Sequence, residues 1–267
     1  MKPLLLSMLV IFACSSSSPE RATSGGRHQK MEVGSADELS APKSGILVEL
    51  FTSQGCSSCP PADKLLSTIN ADTGPEVIAL AYHVDYWNYI GWEDPYSSPE
   101  WSSRQRGYAS KISAGRNYTP QLVVNGRNHA VGSHKDKVRA LIDAERRIAQ
   151  EDVRVSAVSA PGGDHSEIHV QVETDVGTLR RESELWAAVF EDDLEVRVLR
   201  GENAGRTLRN DRVVRHLENL GPLETGRYKK SFRVDVARDW RREKLGVVFF
   251  VQDRKSLEVL AAVEVRP

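Results

Sequence analysis

Four residues, Cys56-Ser57-Ser58-Cys59, constrain this 267-residue chain more than any other feature. They follow Ile46-Leu47-Val48-Glu49-Leu50-Phe51, apolar at every position but Glu49, which reads as a buried strand. They precede Pro60-Pro61, a pair that only the first turn of a helix accommodates. Ala62, Leu65, Leu66 and Ile69 then recur at helical spacing, so 52–58 reads as a turn and 60–70 as a helix. A cysteine at such a helix start ionises more easily, because backbone N–H groups and the helix dipole stabilise its thiolate. A second cysteine three positions on can resolve the mixed disulfide that the first one forms. The same spacing is half of a zinc site, but three cysteines in the whole chain exclude a centre held by four thiolates.

The flanking segments predict two folded parts. Over 45–150, a second apolar strand is expected at 77–84 and a helix at 99–112 with Trp101, Tyr108 and Ile112 turned inward. A strand at 121–124, the turn pair Asn125-Gly126 and a strand at 129–131 make a hairpin. A closing helix over 135–150 carries Val138, Leu141, Ile142 and Ile148 on one face, completing the order β-α-β-α-β-β-α. From 151 the period changes: Ile168, Val170 and Val172 alternate with His169, Gln171 and Glu173, as in a half-buried strand. Further strands are expected over 153–158, 185–191, 195–199, 228–236, 245–252 and 259–265. Pro161-Gly162-Gly163-Asp164 and Gly221-Pro222 punctuate them. So many short strands suggest a β-sandwich over 151–267.

Residues 1–13 have the proportions of a signal peptide: Lys2, then an apolar stretch over 4–13, too short to span a bilayer. Ile11-Phe12-Ala13-Cys14 resembles a bacterial lipobox, which implies cleavage after residue 13 and lipidation of Cys14. Ser15 stands where that resemblance associates an aspartate with inner-membrane retention, which favours the outer membrane. Residues 14–44, rich in Ser, Gly, Pro, Ala and charge, read as a disordered tether. The expectation is an exported, periplasmic lipoprotein held to the membrane by its lipid. A formal net charge of −1 leaves no electrostatic footprint for nucleic acid.

Tyr118-Thr119-Pro120-Gln121 stands just ahead of the hairpin strand. In thioredoxin-like folds a cis proline at that point lies against the CxxC pair and presents backbone to the substrate. CxxC after the first strand, Thr-Pro before the hairpin and the closing helix together resemble a thioredoxin fold over 46–150. More narrowly, Val48-Glu49-Leu50-Phe51-Thr52-Ser53-Gln54-Gly55-Cys56-Ser57-Ser58-Cys59-Pro60-Pro61-Ala62-Asp63 resembles the signature of the bacterial domain-of-unknown-function family 1223. So do His83-Val84-Asp85-Tyr86-Trp87, Arg104-Gln105-Arg106, the stretch from Tyr118 to Gly126, and Gly201-Glu202-Asn203-Ala204-Gly205-Arg206-Thr207-Leu208. The resemblance implies a secreted protein with an α/β thioredoxin-like N-terminal domain followed by an all-β, sandwich-like C-terminal domain. Carried over residue by residue, it makes Cys56 the nucleophile, Cys59 the resolver and Pro120 the substrate platform, with Tyr118 and Thr119 beside them. Ser57-Ser58 differs from the Gly-Pro of thioredoxin, and no tryptophan precedes Cys56, so the direction of electron transfer stays open.

His83 and Asp85 end the second strand, and strand ends in open α/β sheets line the ligand crevice. Alternate strand residues share a face, so Asp85 can orient His83. His83 then serves as a proton relay, or as a third ligand beside two thiolates that suit Cu(I). The latter arrangement resembles copper-delivery proteins of the Sco type, whose cysteine spacing differs. Half of the aromatic residues fall between 82 and 118, Trp87 and Tyr118 among them, as a peptide grip or as a small core. Arg104 and Arg106 are candidates to pair with Asp85 or Glu93. The polar loop 203–210, with Arg206 and Arg209, reads as an anion site or as a structured loop packed on the first domain. A disulfide over so short a loop gains little from loop entropy, which argues against a mere staple. The leading expectation is a thiol–disulfide oxidoreductase acting on protein thiols and disulfides with a separate redox partner and no cofactor. The alternative is a copper-binding protein using Cys56, Cys59 and His83.

Overall fold

The computed structural model describes residues 44–73, 76–148, 152–159, 166–177 and 181–267. The expected leader, Cys14 and the tether up to residue 43 lie outside the described residues. The chain begins β1 (Ile46–Thr52), α1 (Pro60–Thr73), β2 (Val77–His83), α2 (Pro99–Ile112), β3 (Gln121–Val124), β4 (Asn128–Val131) and α3 (Lys135–Glu145). β1 and β2 are buried at every position, as their unbroken apolar runs require of strands covered on both faces. They pair in parallel from Ile46 opposite Val77 to Thr52 opposite His83. β3 pairs antiparallel with β1 and forms a hairpin with β4. Helices α1 and α3 cover one face, where Ala62, Leu66, Val138 and Ile142 meet Val48, Leu50, Ala79 and Leu122. α2 covers the other face, bringing Trp101 and Tyr108 onto Leu47, Phe51, Leu80 and Tyr82. α3 stops at Glu145, five residues before the expected end, and Ile148 is exposed rather than inward.

The second half contributes β5 (Val153–Ser159), β6 (Glu167–Val176), β7 (Ser183–Glu191), β8 (Leu194–Arg197), β9 (Thr207–Asn210), β10 (Val213–Leu223), β11 (Gly226–Asp235), β12 (Leu245–Asp253) and β13 (Val259–Val265). Four of these strands extend the first sheet into one of eight strands, ordered β13-β12-β7-β10-β2-β1-β3-β4. A three-stranded sheet, β11-β6-β5, packs on the β7, β12 and β13 part, where Ile168, Val170 and Phe232 meet Ala187, Val189 and Phe249. β8 and β9 form a separate ribbon.

This corrects the expected fold class. The chain is not an α/β thioredoxin-like domain followed by a separate sandwich, because one mixed sheet runs through both halves. β10 makes the join: it pairs antiparallel with β7 and meets β2 in parallel at Val213 opposite Ala81. The sequence pattern gives no strand there for a physical reason. Register shifts between Val214 and His216 and between Asn219 and Gly221 break the two-residue alternation, and Gly221-Pro222 lies inside the strand.

Buried polar groups reinforce the join. Glu49 shares a strand face with Leu47 and Phe51 and is 1 % exposed, so its charge needs an internal partner. Arg104 supplies one at 2.7 Å, and the Tyr108 hydroxyl donates to the other carboxylate oxygen. Gln252 of β12 donates to the same hydroxyl at 2.8 Å. Arg104 therefore pairs with Glu49, not with Asp85 or Glu93. Arg212, 1 % exposed, donates from Nε to the carbonyl of Ala79 at 2.8 Å and holds Glu264 with its other nitrogens.

Candidate active site

β1 ends at Thr52, and the chain turns through Ser53 to Cys59 before α1 begins. Cys56 N–H donates to Ser53 O, and Cys59 N–H to Cys56 O, both at 3.2 Å. Asp63 N–H then donates to Cys59 O at 3.1 Å, one helical turn on. Cys56 and Cys59 form a disulfide with their Cα atoms 5.4 Å apart. Both cysteines are buried, Cys56 at 1 % and Cys59 at 0 % exposure, whereas Ser57 and Ser58 are exposed. In the disulfide state neither cysteine is the more open of the two. The Ser58 hydroxyl lies 3.3 Å from Cys56 Sγ.

Thr119–Pro120 is a cis peptide. Trp87 ties it to the cysteine turn: its Nε1–H donates to Thr119 Oγ1 at 2.7 Å, and its Cβ would lie 3.1 Å from a Cβ on Gly55. Pro120 also neighbours the first turn of α1. A Cβ on Gly132 would come within 3.0 Å of Ala62 Cβ and 3.4 Å of Pro120 Cβ.

Behind the cysteines lies a buried acid–imidazole group. His83, the last residue of β2, has Nδ1 2.7 Å from Asp94 Oδ2. That oxygen also accepts Gln54 N–H at 2.8 Å, and Asp94 Oδ1 accepts Tyr96 N–H at 3.0 Å. Asp63, 9 % exposed, accepts the Thr52 hydroxyl at 2.7 Å. Burial pushes the Asp63 carboxyl up from 3.8 to about 6, against the pull of His83 and the Thr52 hydrogen bond. Burial works against the His83 imidazolium, yet Asp94 and Asp63 outweigh it and raise its pKa. For Asp94, burial is overcome by His83 and the two backbone donors, which lower it. His83 Nε2 is buried and has no hydrogen-bond partner.

Residues from the far half close over the turn. Asn203, fully buried, donates from Nδ2 to the carbonyls of Gln54 and Cys56, each at 2.9 Å. Glu202 Oε2 accepts Ser57 N–H at 2.9 Å. The Gln54 side chain joins Trp92 and Asn210 at 3.1 and 3.3 Å. Of the two expectations for this loop, packing on the first half describes its geometry.

The other expected site residues lie elsewhere. Asp85 does not orient His83, because β2 ends at His83 and the chain coils into a short 3₁₀ helix at Asp85–Ile90. Asp85 instead accepts the Ser102 hydroxyl at 2.5 Å, anchoring α2. Tyr118 turns its hydroxyl to His129 Nδ1 at 2.6 Å, on β4. Among the described residues, no three His, Cys, Asp or Glu side chains stand together as a metal would require. Cys56, Cys59 and His83 are not such a set, and His83 is committed to Asp94.

Sequence reasoning passed over Gln54, Asp63, Asp94, Glu202 and Asn203 as site residues. Asp63 carries a signal, since it follows Cys59 by four residues and a helix brings such pairs onto one face. Asp94 carries none, 40 residues from the backbone donor it satisfies, and Glu202, 145 residues from its donor, is marked only by the family-like stretch Gly201–Leu208.

The chain belongs to the family described as "Protein of unknown function (DUF1223)", which matches residues 47–252. It is similar to the crystal structure of protein AGR_C_4864 from Agrobacterium tumefaciens. The two are 29 % identical, with 84 % of this chain and 94 % of that one covered and a TM-score of 0.64. It also shares its fold with HBP35 of Porphyromonas gingivalis, at 13 % identity over 84 % of this chain and 75 % of that one, with a TM-score of 0.65. No curated protein matches.

Proposed function

We propose that the chain is a thiol–disulfide oxidoreductase in which Cys56 attacks and Cys59 resolves. The observation that carries this reading is the Cys56–Cys59 disulfide at the start of α1, above a buried carboxylic acid whose pKa is about 6. The ring it closes is too short for the ~3 kcal/mol that a 15-residue loop would give, so a purely structural role is a poor use of two cysteines. Helix N–H groups favour a Cys56 thiolate.

As a reductant, the dithiol form acts in two steps. The Cys56 thiolate bonds to one sulfur of a substrate disulfide, and the second substrate sulfur leaves as a thiolate that takes up a proton. Cys59 then loses its proton and attacks Cys56 Sγ, restoring the protein disulfide and releasing the first substrate sulfur as a thiolate, which takes up a proton from water. Reversed, the same steps oxidise a substrate dithiol. We assign the proton given up by Cys59 to Asp63, whose carboxylate is the base at neutral pH and whose charge His83 supports. A protein substrate suits the exposed side chains that flank the site in the chain, Tyr89 at 83 % next to Ile90, which packs at Gly55, and Leu199 at 67 % just ahead of Gly201. An oxidising compartment suits the disulfide and the leader-like first residues. No observation favours the copper reading.

Single substitutions test the assignment. Cys59→Ser is expected to accumulate a Cys56-linked mixed disulfide with a model peptide disulfide, visible as a mass increase, while Cys56→Ser exchanges nothing. Full exchange by Cys56→Ser would remove the reading.

A further inference from the structure

Glu202 meets the motif at a chemically sensitive point. Ser57 N–H belongs to the residue directly after Cys56, and it points at a carboxylate delivered from 145 residues away. That delivery is built rather than incidental. The adjoining Asn203 is fully buried and grips the carbonyls of Gln54 and Cys56. Arg206 holds Asn203 Oδ1 at 2.7 Å. Gly201 has φ +76, and a Cβ there would come within 2.9 Å of Ile90 Cδ1, so the loop is seated tightly against the 3₁₀ helix. The loop backbone is held at both neighbours, and from it the exposed Glu202 side chain reaches Ser57 N–H.

We propose that Glu202 is a positioning residue that opposes ionisation of Cys56: it occupies a backbone donor a Cys56 thiolate would use and sets a negative charge beside that thiolate. The proposal rests on the reading of Cys56 as the attacking thiol. Reduction by a dithiol writes as protein disulfide plus R(SH)2 giving Cys56 thiolate, Cys59 thiol, the cyclic disulfide of R and one proton. Two electrons pass to the protein sulfurs. A carboxylate beside the new thiolate raises the free energy of the right-hand side, so Glu202 favours the disulfide. Glu202 is ionised at neutral pH, and the Ser57 hydrogen bonds lower its pKa further. The other ionisable groups near the motif are Asp63 on α1, His83 on β2, Asp94 beyond the 3₁₀ helix and Arg206 in the loop. His83 and Asp94 offset one another, and Arg206 is engaged with Asn203. Against this fixed background, Glu202 adds one further negative charge.

Glu202→Gln keeps an oxygen to accept Ser57 N–H and removes only the charge. In a Cys59→Ser background, the Cys56 thiolate is followed by its absorbance near 240 nm and by alkylation rate against pH. Glu202→Gln is expected to raise the thiolate-to-thiol ratio about threefold at a given pH, the effect of one unit charge about 6 Å away in water. Because Glu202 is exposed, the difference falls at ~1 M salt, where the Debye length is ~3 Å. With both cysteines present, the equilibrium with glutathione moves about threefold toward the dithiol. Superimposable titrations, or a difference that salt leaves untouched, would overturn the proposal. A salt-sensitive shift in a protein that exchanges no disulfides supports the role of Glu202 and removes the oxidoreductase reading. Unshifted thiols in an active protein do the reverse.

Discussion

Asp63 shows what a single buried carboxyl does to this site. Its folded pKa of about 6 lies above the ordinary 3.8, so the folded state holds a proton that the unfolded chain has released between those values. Stability from this group is therefore fully present below about 3.8 and is lost as pH rises through about 6. Above that, the folded protein carries a cost of roughly 3 kcal/mol. Asp63→Asn keeps an acceptor for the Thr52 hydroxyl and removes the charge. It should be more stable than wild type in urea unfolding at pH 8, by up to about 3 kcal/mol, and nearly equal at pH 4. If Asp63 also takes the Cys59 proton, the same variant resolves mixed disulfides at least about a hundredfold more slowly, general-base contributions being roughly 10²–10⁴. Equal stability at both pH values would show that Asp63 is not held in this way. The Cys56–Cys59 pairing is legible in the sequence because its signal is local, the spacing and a following proline pair, whereas the cis Thr119–Pro120 bond is expected only from the order of motifs in the thioredoxin-like resemblance. The acid partner of His83 is not legible. Strand alternation points to Asp85, but the strand ends at His83, and the partner is Asp94.

The element that decides the site is the loop from 201 to 206. Asn203 supplies both hydrogen-bond donors for two carbonyls of the cysteine turn that have little other access to water. Asn203→Ala takes this donor from Gln54 O and leaves Cys56 O with Cys59 N–H alone, at a cost of about 1–3 kcal/mol in unfolding experiments. The same variant should be reduced faster by dithiothreitol, because the turn loses its clamp. An unchanged reduction rate together with unchanged stability would mean that the clamp contributes nothing. The elements of the first half follow their sequence signals closely, since apolar runs and proline positions are strong local cues. β10 does not, because its bulges destroy the alternation that identifies a half-buried strand. The sandwich-like pattern of the second half is real in its strands, yet it includes neither β9 nor β10, and β10 changes what the others form.

At the scale of the molecule, the two halves share one core. Leu47, Phe51 and Tyr82 pack with Phe190, Val214 and Phe250. Arg104, paired with Glu49, lies 5.2 Å from the ring centres of both Tyr108 and Phe250. Arg104→Met would strand the Glu49 carboxylate, a change expected to cost about 3–5 kcal/mol. Glu49→Gln in the same chain should recover part of it. The described residues should unfold in a single transition by calorimetry, and a fragment ending at residue 150 should lack cooperative unfolding. Two separated transitions, with Arg104→Met affecting only the first, would contradict a shared core. The join also bears on function, because it is the second half that presents Glu202 and Asn203 to the cysteines.

The central claim is that Cys56 and Cys59 cycle between dithiol and disulfide, and a redox titration tests it most directly. The protein is equilibrated in graded dithiol–disulfide buffers, quenched in acid, alkylated and weighed. One reversible two-electron transition is predicted, both thiols appearing together, with a potential between about −120 and −270 mV. A bond that stays oxidised below about −300 mV, as structural disulfides do, would contradict it.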